Sequence, residues 1–558
     1  MPAQTAPPGQ TAAPSGPEVN THDLPATFTS RVNLVLVRVV VRDHQGHAIG
    51  TLKKEDFRLT DRGKPQVISR FSVEKTTITT EVKAPPVSPK PNEDSSDTPL
   101  PPTPGRFVAY LFDDVHLTFG DLVQARDAAR RQLADSLKPD GRAAIYTTSG
   151  ITTLDFTDDL KELNETLLQI RPHPRAGPRG TDCPDLNYYM ADLIQRNDVM
   201  AVTTATNETL ICANLDPTTM RNVAESMARS AASRVANIGE SETRLALGVL
   251  KDVVRRVSAM PGQRSVILVS PGFLVPPGVR FESQELVDRA LRSNVVISAL
   301  DARGLYVILP GGDASQRSIS PAIALAKSQY EKDAIQLDAD IMAEIADSTG
   351  GTFVQNSNDF DGGFKRLAAA PEYYYVLAFA PQSLKYDGSY HNLKVSLVDS
   401  KGLMLQARRG YYAPKHSLDE AERTKEEIQE ALFSRDEMKD IPIGMHLQFF
   451  KSSDVAAKLS VVAHVDIAHL RFRKVDDRNN DTLTVVSGVF DRNGNMISAI
   501  TKTIEMRLKD QTLATILGPG LNVKTTFDVT PGTYVVRLVV RDSEAQTLAA
   551  SNGAVEIP

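Results

Sequence analysis

The pattern of apolar and polar positions divides the chain into blocks of different structure. Residues 27–75 contain a β-branched run at 32–42 and short alternating stretches between Asp/Gly turns, which predict a small β-domain or an edge unit of a sandwich. Residues 106–370 alternate continuous apolar runs, such as 107–112, with helical stripes. Such runs are typical of strands buried on both faces by helices. This block therefore predicts a doubly wound, mostly parallel α/β sheet of the Rossmann-like type.

Strand patterns return after this block. Residues 371–414 hold two apolar runs around a Tyr-Asp-Gly turn and predict a β extension. Residues 415–440 are charged, with a helical spacing, and predict a helical connector. Residues 441–558 show the pattern of short strands separated by turns, which is typical of an immunoglobulin-like sandwich. All-β domains are therefore expected to flank the α/β domain.

Two stretches lack the apolar positions that a folded core needs. Residues 1–26 and 76–105 are rich in proline, which cannot build helices or strand ladders, and predict a disordered arm and a linker. The arm lacks the basic start and apolar core of a signal peptide, but it is similar to the spacer that often follows one. An export signal upstream of this sequence is therefore left open.

Composition excludes several classes of function. The chain has 558 residues, of which 24% are charged and 41% hydrophobic, with a formal net charge of −6. No stretch approaches the roughly 18 continuous apolar residues that a membrane-spanning helix needs. The mild acidity and the lack of a basic run argue against nucleic acid as a partner.

The two cysteines bear on the cellular compartment. Cys183 and Cys212 lie in a segment at about 175–240 that interrupts the strand–helix alternation. Two free thiols would be ordinary in a cytosolic protein, and the sequence has neither CxxC nor a Cys/His ligand spacing. A disulfide would instead close a loop of about 30 residues and contribute roughly 3 kcal/mol. We expect the disulfide, and hence an extracytoplasmic location, periplasmic or secreted.

A polar segment follows the first apolar run of the α/β block. Residues 113–118 read Asp-Asp-Val-His-Leu-Thr and directly precede a helix. In open α/β sheets, ligands collect at the carboxyl ends of strands. A carboxylate followed by side-chain oxygens at alternate positions can coordinate a hard divalent cation. The segment is therefore a candidate metal site.

This segment resembles the metal-ion-dependent adhesion site of the von Willebrand factor A family, which begins Asp-x-Ser-x-Ser after the first strand. Further matches follow in order at 156–159, Thr243, 262–265, 301–305 and 349–353. The Pro-Gly-Gln-Arg lead at 261–264, the Val-Ser-Pro-Gly-Phe strand end at 269–273 and the Gly-Tyr-Tyr at 410–412 resemble von Willebrand A-related proteins of acidobacteria. The likeness covers 106–370 and, with the β-blocks, nearly the whole folded chain. It implies an adhesion or protein-binding module.

The metal motif departs from the family pattern. Counted from Asp114, the two serine positions are His116 and Thr118, and the family's distal Asp falls on Pro271, which supplies no ligand. The resemblance thus implies a degenerate site that binds Mg²⁺, Mn²⁺ or Ca²⁺ weakly or not at all, with no certain cofactor. A competing interpretation is that the two aspartates cap the following helix. The metal-site candidates are Asp113, Asp114, Thr118 and Thr243.

The sequence favours a binding protein over an enzyme. It has no GxSxG, HExxH or GxxxxGK[ST] motif and no GxGxxG that opens a helix. We expect a non-enzymatic protein-binding or adhesion module that contacts an unidentified protein partner through the strand ends and the cysteine-containing insertion. Two alternatives stay open. One is a metal-dependent hydrolase that uses Asp113 and Asp114, and the other is an envelope component without a specific ligand.

Overall fold

The computed structural model describes residues 18–25, 35–44, 47–75, 105–137, 141–174, 182–306, 320–368, 373–379, 381, 389–400, 402–413, 420–433, 438–453 and 455–558. The chain divides into two compact units. The first, here called the α/β unit, comprises Thr29–Ser434 and Asn493–Asn495. The second, here called the sandwich unit, comprises Met1–Phe28, Arg435–Arg492 and Met496–Pro558.

The bounds of the regular elements follow in chain order for the described residues. The strands are β1 (Val19–Pro25), β2 (Val35–Arg42), β3 (Phe57–Asp61), β4 (Lys64–Gln66), β5 (Arg70–Lys75), β6 (Arg106–Phe112), β7 (Gly141–Thr147), β8 (Thr153–Thr157), β9 (Gln263–Ser270), β10 (Val295–Asp301), β11 (Phe353–Val354), β12 (Tyr373–Phe379), β13 (Tyr390–Leu397), β14 (Met404–Ala407), β15 (Gly410–Tyr412), β16 (Met438–Lys439), β17 (Ile443–Ser453), β18 (Ala456–Val465), β19 (Arg473–Val475), β20 (Arg478–Asp491), β21 (Met496–Leu508), β22 (Leu521–Val529), β23 (Gly532–Asp542) and β24 (Thr547–Ile557). The α-helices are α1 (Phe119–Ser136), α2 (Leu160–Gln169), α3 (Tyr188–Gln195), α4 (Val199–Cys212), α5 (Arg221–Ser258), α6 (Arg280–Arg292), α7 (Pro321–Thr349), α8 (Phe360–Ala368), α9 (Glu420–Phe433) and α10 (Asp510–Ile516).

A six-stranded sheet in the order β11-β10-β9-β6-β7-β8 forms the centre of the α/β unit. Its pairings are parallel except that β8 runs antiparallel to β7. Every residue of β6 is buried, because helices cover both faces. Phe107, Ala109 and Leu111 pack against α5, α6 and α7, and the intervening residues of β6 pack against α1, α2 and α8. The prediction of a mixed α/β fold with a mostly parallel sheet is confirmed.

Two smaller sheets in the α/β unit join segments that the sequence had placed in separate blocks. Their strand orders are β14-β2-β12-β5 and β15-β13-β3-β4. Strands from 27–75 alternate with strands from 371–414 in the first sheet, and β3 pairs with β13 in the second. The prediction of separate β-blocks at 27–75 and 371–414 is therefore wrong. Local patterns could not reveal this pairing, because it joins strands on opposite sides of the entire α/β block.

The insertion is helical. Its helices are α3, α4 and the first half of α5, which runs for 38 residues from Arg221. An alanine stripe that includes Ala224, Ala228 and Ala232 is buried along this half of α5. A disulfide joins Cys183 to Cys212 with 5.7 Å between their Cα atoms, as predicted.

The sandwich unit consists of two packed sheets. One has the order β1-β21-β20-β23-β24-β16 with β19 beside β20, and the other is β17-β18-β22. Side chains of β18 and β22 share a core with those of β20, β21 and β23. The immunoglobulin-like assignment of this unit stays a prediction.

Three predicted segments lie at the borders of these units. Disorder across 1–26 is wrong for 19–25, where β1 pairs with β21, since a long-range ladder can order a polar segment. The connector at 415–440 contains α9 and then β16, which pairs with β24. Residues 1–17 and almost all of the linker at 76–105 lie outside the described residues. Within those that are described, no helix is both long and apolar enough to cross a membrane.

Candidate functional site

The candidate site lies at the carboxyl end of β6, where the strand order of the sheet reverses. After β6 the chain adds β7 and β8 on one side, and it then adds β9, β10 and β11 on the other. Crevices form at such switch points, and ligands of open α/β sheets bind there. Asp113 and Asp114 follow β6 at this point, and both are 0% exposed.

Asp113 is held by side chains from three loops. The Nδ1 atom of His116 lies 2.9 Å from each carboxylate oxygen. The hydroxyl of Ser270, at the end of β9, donates to Oδ2 at 2.6 Å, and that of Thr148, after β7, lies 2.9 Å from Oδ1. Burial opposes ionisation, but the charge of His116 and these hydrogen bonds outweigh it and lower the pKa of Asp113.

Asp114 has a separate set of partners. Ser149 donates to it from its backbone N–H at 2.8 Å and from its hydroxyl at 2.5 Å. The Nδ1 atom of His173 lies 3.0 Å from Oδ2, and the N–H of the same residue donates to the Asp114 carbonyl. Thr148 also lies 3.0 Å from Oδ1, so that its hydroxyl bridges the two aspartates.

His116 links three parts of this region. Its ring stacks on Phe273 with 5.8 Å between centroids, and its Nε2 lies 4.0 Å from a carboxylate oxygen of Glu242 on α5. Burial lowers the pKa of an imidazole, but Asp113 first, and then Glu242 and Asp338, raise the pKa of His116 to about 9. The imidazolium therefore supplies positive charge between these carboxylates near neutral pH.

In the structure, the two threonines that were predicted as metal ligands make other hydrogen bonds. Thr118 is the N-cap of α1, where its Oγ1 accepts a hydrogen bond from the Asp121 N–H and donates to the Asp121 carboxylate. Thr243 is 1% exposed on α5 and donates to the Leu274 carbonyl at 2.8 Å. Because Thr118 caps α1, the interpretation of Asp113 and Asp114 as caps of that helix is wrong.

The arrangement of side chains around Asp113 and Asp114 does not fit a divalent cation. The carboxylates of Asp113 and Asp114 already accept hydrogen bonds from hydroxyls and a backbone amide and contact two imidazoles. Across the described residues no group of three or more His, Cys, Asp or Glu side chains is arranged to hold a metal. In this arrangement, hydrogen-bond donors of the protein therefore occupy the carboxylate oxygens that would have to bind an ion.

Sequence reasoning missed four members of this cluster, which are Thr148, Ser149, His173 and Ser270. A signal was present for three of them. Thr148 and Ser149 follow β7, and Ser270 ends β9, so each lies at the carboxyl end of a strand beside β6. His173 follows α2 in a segment without regular structure, and no sequence pattern placed it near Asp114.

Three exposed apolar side chains, here called the rim, lie in segments that follow strands of this sheet. Phe119 starts α1, Ile151 lies in the turn after β7, and Leu305 follows β10. Their exposed fractions are 64%, 65% and 64%. Because the carboxyl ends of parallel strands share one edge of the sheet, these loops form one face, here called the strand-end face. It combines a polar interior with an apolar rim.

The insertion packs close to this region through α5. A Cβ atom built on Gly239 would lie 2.4 Å from the Tyr188 ring, so only glycine allows α3 to approach α5 this closely. Gly239 is one helical turn from Thr243, which contacts the loop after β9. The insertion also contacts α7, where Lys327 donates to Glu208 of α4 at 2.8 Å and to the Asp185 carbonyl.

Comparisons with known proteins assign no family to the chain. No protein-family model and no curated protein matches it. Among solved structures, an aerotolerance-related membrane protein from Bacteroides fragilis is 13% identical, with a TM-score of 0.26, over 47% of this chain and 96% of that one. The human COPII-coat protein Sec24c is 8% identical, with a TM-score of 0.18, over 82% of this chain and 44% of that one. At these scores the likenesses support no argument about fold or function.

Proposed function

We propose that the chain is a non-enzymatic protein-binding module, in which the strand-end face of a von Willebrand A-like domain contacts a protein partner without a metal ion. The observation that carries this proposal is the pairing of an internally satisfied polar cluster with the exposed rim of Phe119, Ile151 and Leu305. Exposed apolar side chains grouped on one face are a frequent mark of protein-interaction sites.

The strand order supports the von Willebrand A-like part of the proposal. Numbered within the sheet, the order is 3-2-1-4-5-6, which doubly wound folds use. Asp113 and Asp114 follow the first strand of this sheet, where the family carries its metal motif. The chain would keep the family's binding face and use apolar contacts in place of metal coordination.

The polar cluster would serve as a rigid base for the rim. Asp113 ties the loop after β6 to Thr148 and Ser270, and Asp114 ties it to Ser149 and His173. Fully satisfied buried networks restrict the groups that they join. A rim fixed in advance loses less conformational entropy when a partner binds, which favours affinity.

The insertion would extend the recognition surface, and its disulfide supports an extracytoplasmic location. Val199 and Met200 at the start of α4 are 74% and 67% exposed. Disulfides such as Cys183–Cys212 persist mainly in oxidising compartments, which favours a periplasmic or secreted protein.

Photocrosslinking tests the proposal. A photoreactive amino acid is placed at Ile151 and, as a control, at Leu168, which is 41% exposed on α2. A partner captured from an envelope extract only by the Ile151 variant is then purified. Replacing Phe119, Ile151 or Leu305 with serine should each weaken its binding by roughly 10-fold or more, since a few anchor residues carry most of the binding energy of an interface. Leu168→Ser should bind normally, with and without EDTA.

The competing functions have different outcomes in the same experiment. Rim and control variants that bind the partner equally would contradict the proposed surface, and loss of binding in EDTA would restore the metal mechanism. A hydrolase would need Asp113 and Asp114 to reach substrate, yet both are fully buried and hydrogen-bonded. Ester or phosphate hydrolysis that is lost in an Asp113→Ala/Asp114→Ala variant would favour the enzyme. An envelope component without a ligand would give no crosslink specific to Ile151.

A further inference from the structure

A strand from the start of the chain completes the larger sheet of the sandwich unit. β1 pairs antiparallel with β21, from Val19 opposite Met506 to Pro25 opposite Ile500. In the described sheet β1 lies at the edge, and β21 pairs with β20 on its other side. The backbone edge of β21 is therefore covered by a segment that the whole α/β unit separates from it in sequence.

The first residues of β1 are exposed. Val19 is 43% exposed, and Asn20, Thr21 and His22 are also exposed. Apolar burial is the main source of stability in a packed strand, and β1 shows little of it over these residues. Over these residues the ladder with β21, rather than apolar burial, holds β1 on the sandwich.

Glu18 adds a polar anchor at one end of the ladder. Its Oε1 lies 3.3 Å from Arg478 Nη1 and 3.7 Å from Lys509 Nζ, and its Oε2 accepts a hydrogen bond from the Lys509 N–H. Its carbonyl accepts from the Arg507 N–H at 2.9 Å. These contacts fix the register in which the segment lies on β21.

The register also explains why β1 suits the edge of a sheet. The Arg507–Glu18 bond sets the hydrogen-bonded positions of β1 at every second residue from Glu18, so Pro25 falls at a position whose nitrogen points away from β21. The missing N–H of proline then costs no ladder bond. Proline on an outer edge opposes further strand addition, so the outer edge of β1 is a poor acceptor for another strand.

We propose that the β21 edge is a strand-acceptor site at which the Glu18–Pro25 segment exchanges between two copies of this chain. The segment of a second copy would make the same ladder and the same contacts of Glu18 with Arg478 and Lys509. Swapping identical elements between protomers costs little for this reason. Release of an edge strand also leaves the ladders of β21 with β20 and of β20 with β23 intact.

Disulfide trapping tests the exchange. The two native cysteines are bonded to each other, so an introduced thiol reports alone. Asp23 lies opposite Lys502 in the ladder. Full-length Asp23→Cys and Lys502→Cys chains are mixed in a glutathione buffer and separated by non-reducing electrophoresis, and mass spectrometry identifies the joined peptides. A disulfide dimer that joins one chain of each variant is expected. An excess of a synthetic peptide of residues 18–25 should suppress it, and a Glu18→Gln peptide should do so less.

A matched pair inside the sandwich sets the background. Ser460 and Thr526 are opposite each other on β18 and β22, and β18 is interior to its sheet. A mixture of Ser460→Cys and Thr526→Cys chains gives the level of crosslinking from collision. An Asp23→Cys/Lys502→Cys double variant that closes within one chain, while the mixture stays at this level, would show a permanent intramolecular strand and overturn the proposal. Failure of the double variant to close would overturn it as well, because β1 would not lie on β21.

Discussion

The imidazole of His116 lies 2.9 Å from both carboxylate oxygens of Asp113, at the point of the fold where the resemblance implied a metal ion. The Asp113 side chain is fully buried, and that of His116 is 18% exposed. An imidazolium in this position neutralises the carboxylate, as a cation would, but it is covalently attached and needs no recruitment from solvent. Protein groups alone can therefore hold the loops of the strand-end face.

The first prediction concerns pH and His116. The pKa of this imidazole is raised from its ordinary value of 6.5 to about 9 in the folded state. Its stabilising contribution is therefore full below about pH 6.5 and is lost as the pH rises through about 9. His116→Gln should remove roughly 2–3 kcal/mol of unfolding free energy at pH 6 and much less at pH 9.5. Urea unfolding at several pH values measures the difference between variant and parent.

His469 provides the control for this measurement. Its Nδ1 lies 2.9 Å from Asp466, but its side chain is 58% exposed, so solvent screens the pair. His469→Gln should change the unfolding free energy little at any pH. A pH dependence in His116→Gln that parallels the parent protein would mean that the His116 charge does not stabilise the fold.

The second prediction concerns metal ions. A ligand that binds only the folded state raises the melting temperature with its occupancy. Since protein donors fill the positions around Asp113 and Asp114, millimolar Mg²⁺, Mn²⁺ or Ca²⁺ should leave the melting temperature of the full chain unchanged relative to EDTA. The Asp113→Ala/Asp114→Ala variant should melt lower, by the same amount in each condition. A cation-dependent rise that this variant loses would instead show a working adhesion-type site.

Sequence predicted the parts of this fold that depend on local periodicity. The apolar run of β6 and the stripes of α1 and α5 could be recognised because burial on a fixed face imposes a period. The long-range pairings could not be recognised, since nothing near Val37 indicates that Leu377 lies opposite it. The same distinction between local and long-range information applies to the candidate site. Asp113 and Asp114 were predicted from their place after a strand, but His173 reaches Asp114 only through the course of an irregular loop.

The third prediction concerns a carboxyl pair in the sandwich unit. Asp481 and Asp542 are 3% and 0% exposed, and burial first, then the Asp542 charge, raises the pKa of Asp481 to about 7. A raised carboxyl pKa gives stability that is present below about pH 4 and is lost as the pH rises to about 7. Asp481→Asn keeps the shape without the charge, so it should abolish that loss and unfold at higher urea than the parent at pH 7.5.

Asp528→Asn is the matched control for this variant. Asp528 lies on β22 in the same unit, with a side chain that is 85% exposed and 3.1 Å from Lys458. Its replacement should change stability by less than about 1 kcal/mol. Equal pH profiles for Asp481→Asn and the parent protein would show that Asp481 is ionised in the fold at acid pH.

The fourth prediction concerns the contact that ties the insertion to α7. Lys327 Nζ donates to Glu208 Oε1 at 2.8 Å, and Glu208 is 4% exposed with its Oε2 lacking a hydrogen-bond partner. Lys327→Met removes the cation and leaves a buried carboxylate uncompensated, which costs roughly 3–5 kcal/mol. Glu208→Gln added to Lys327→Met should recover much of this loss, because the buried charge disappears. Lys161→Met is the control. Lys161 forms an ion pair with Glu165, but its side chain is 84% exposed, so its replacement should have almost no effect on the unfolding free energy. Urea unfolding that gives the same loss for the single and the double variant would show that packing of the lysine stem, rather than charge, secures the insertion.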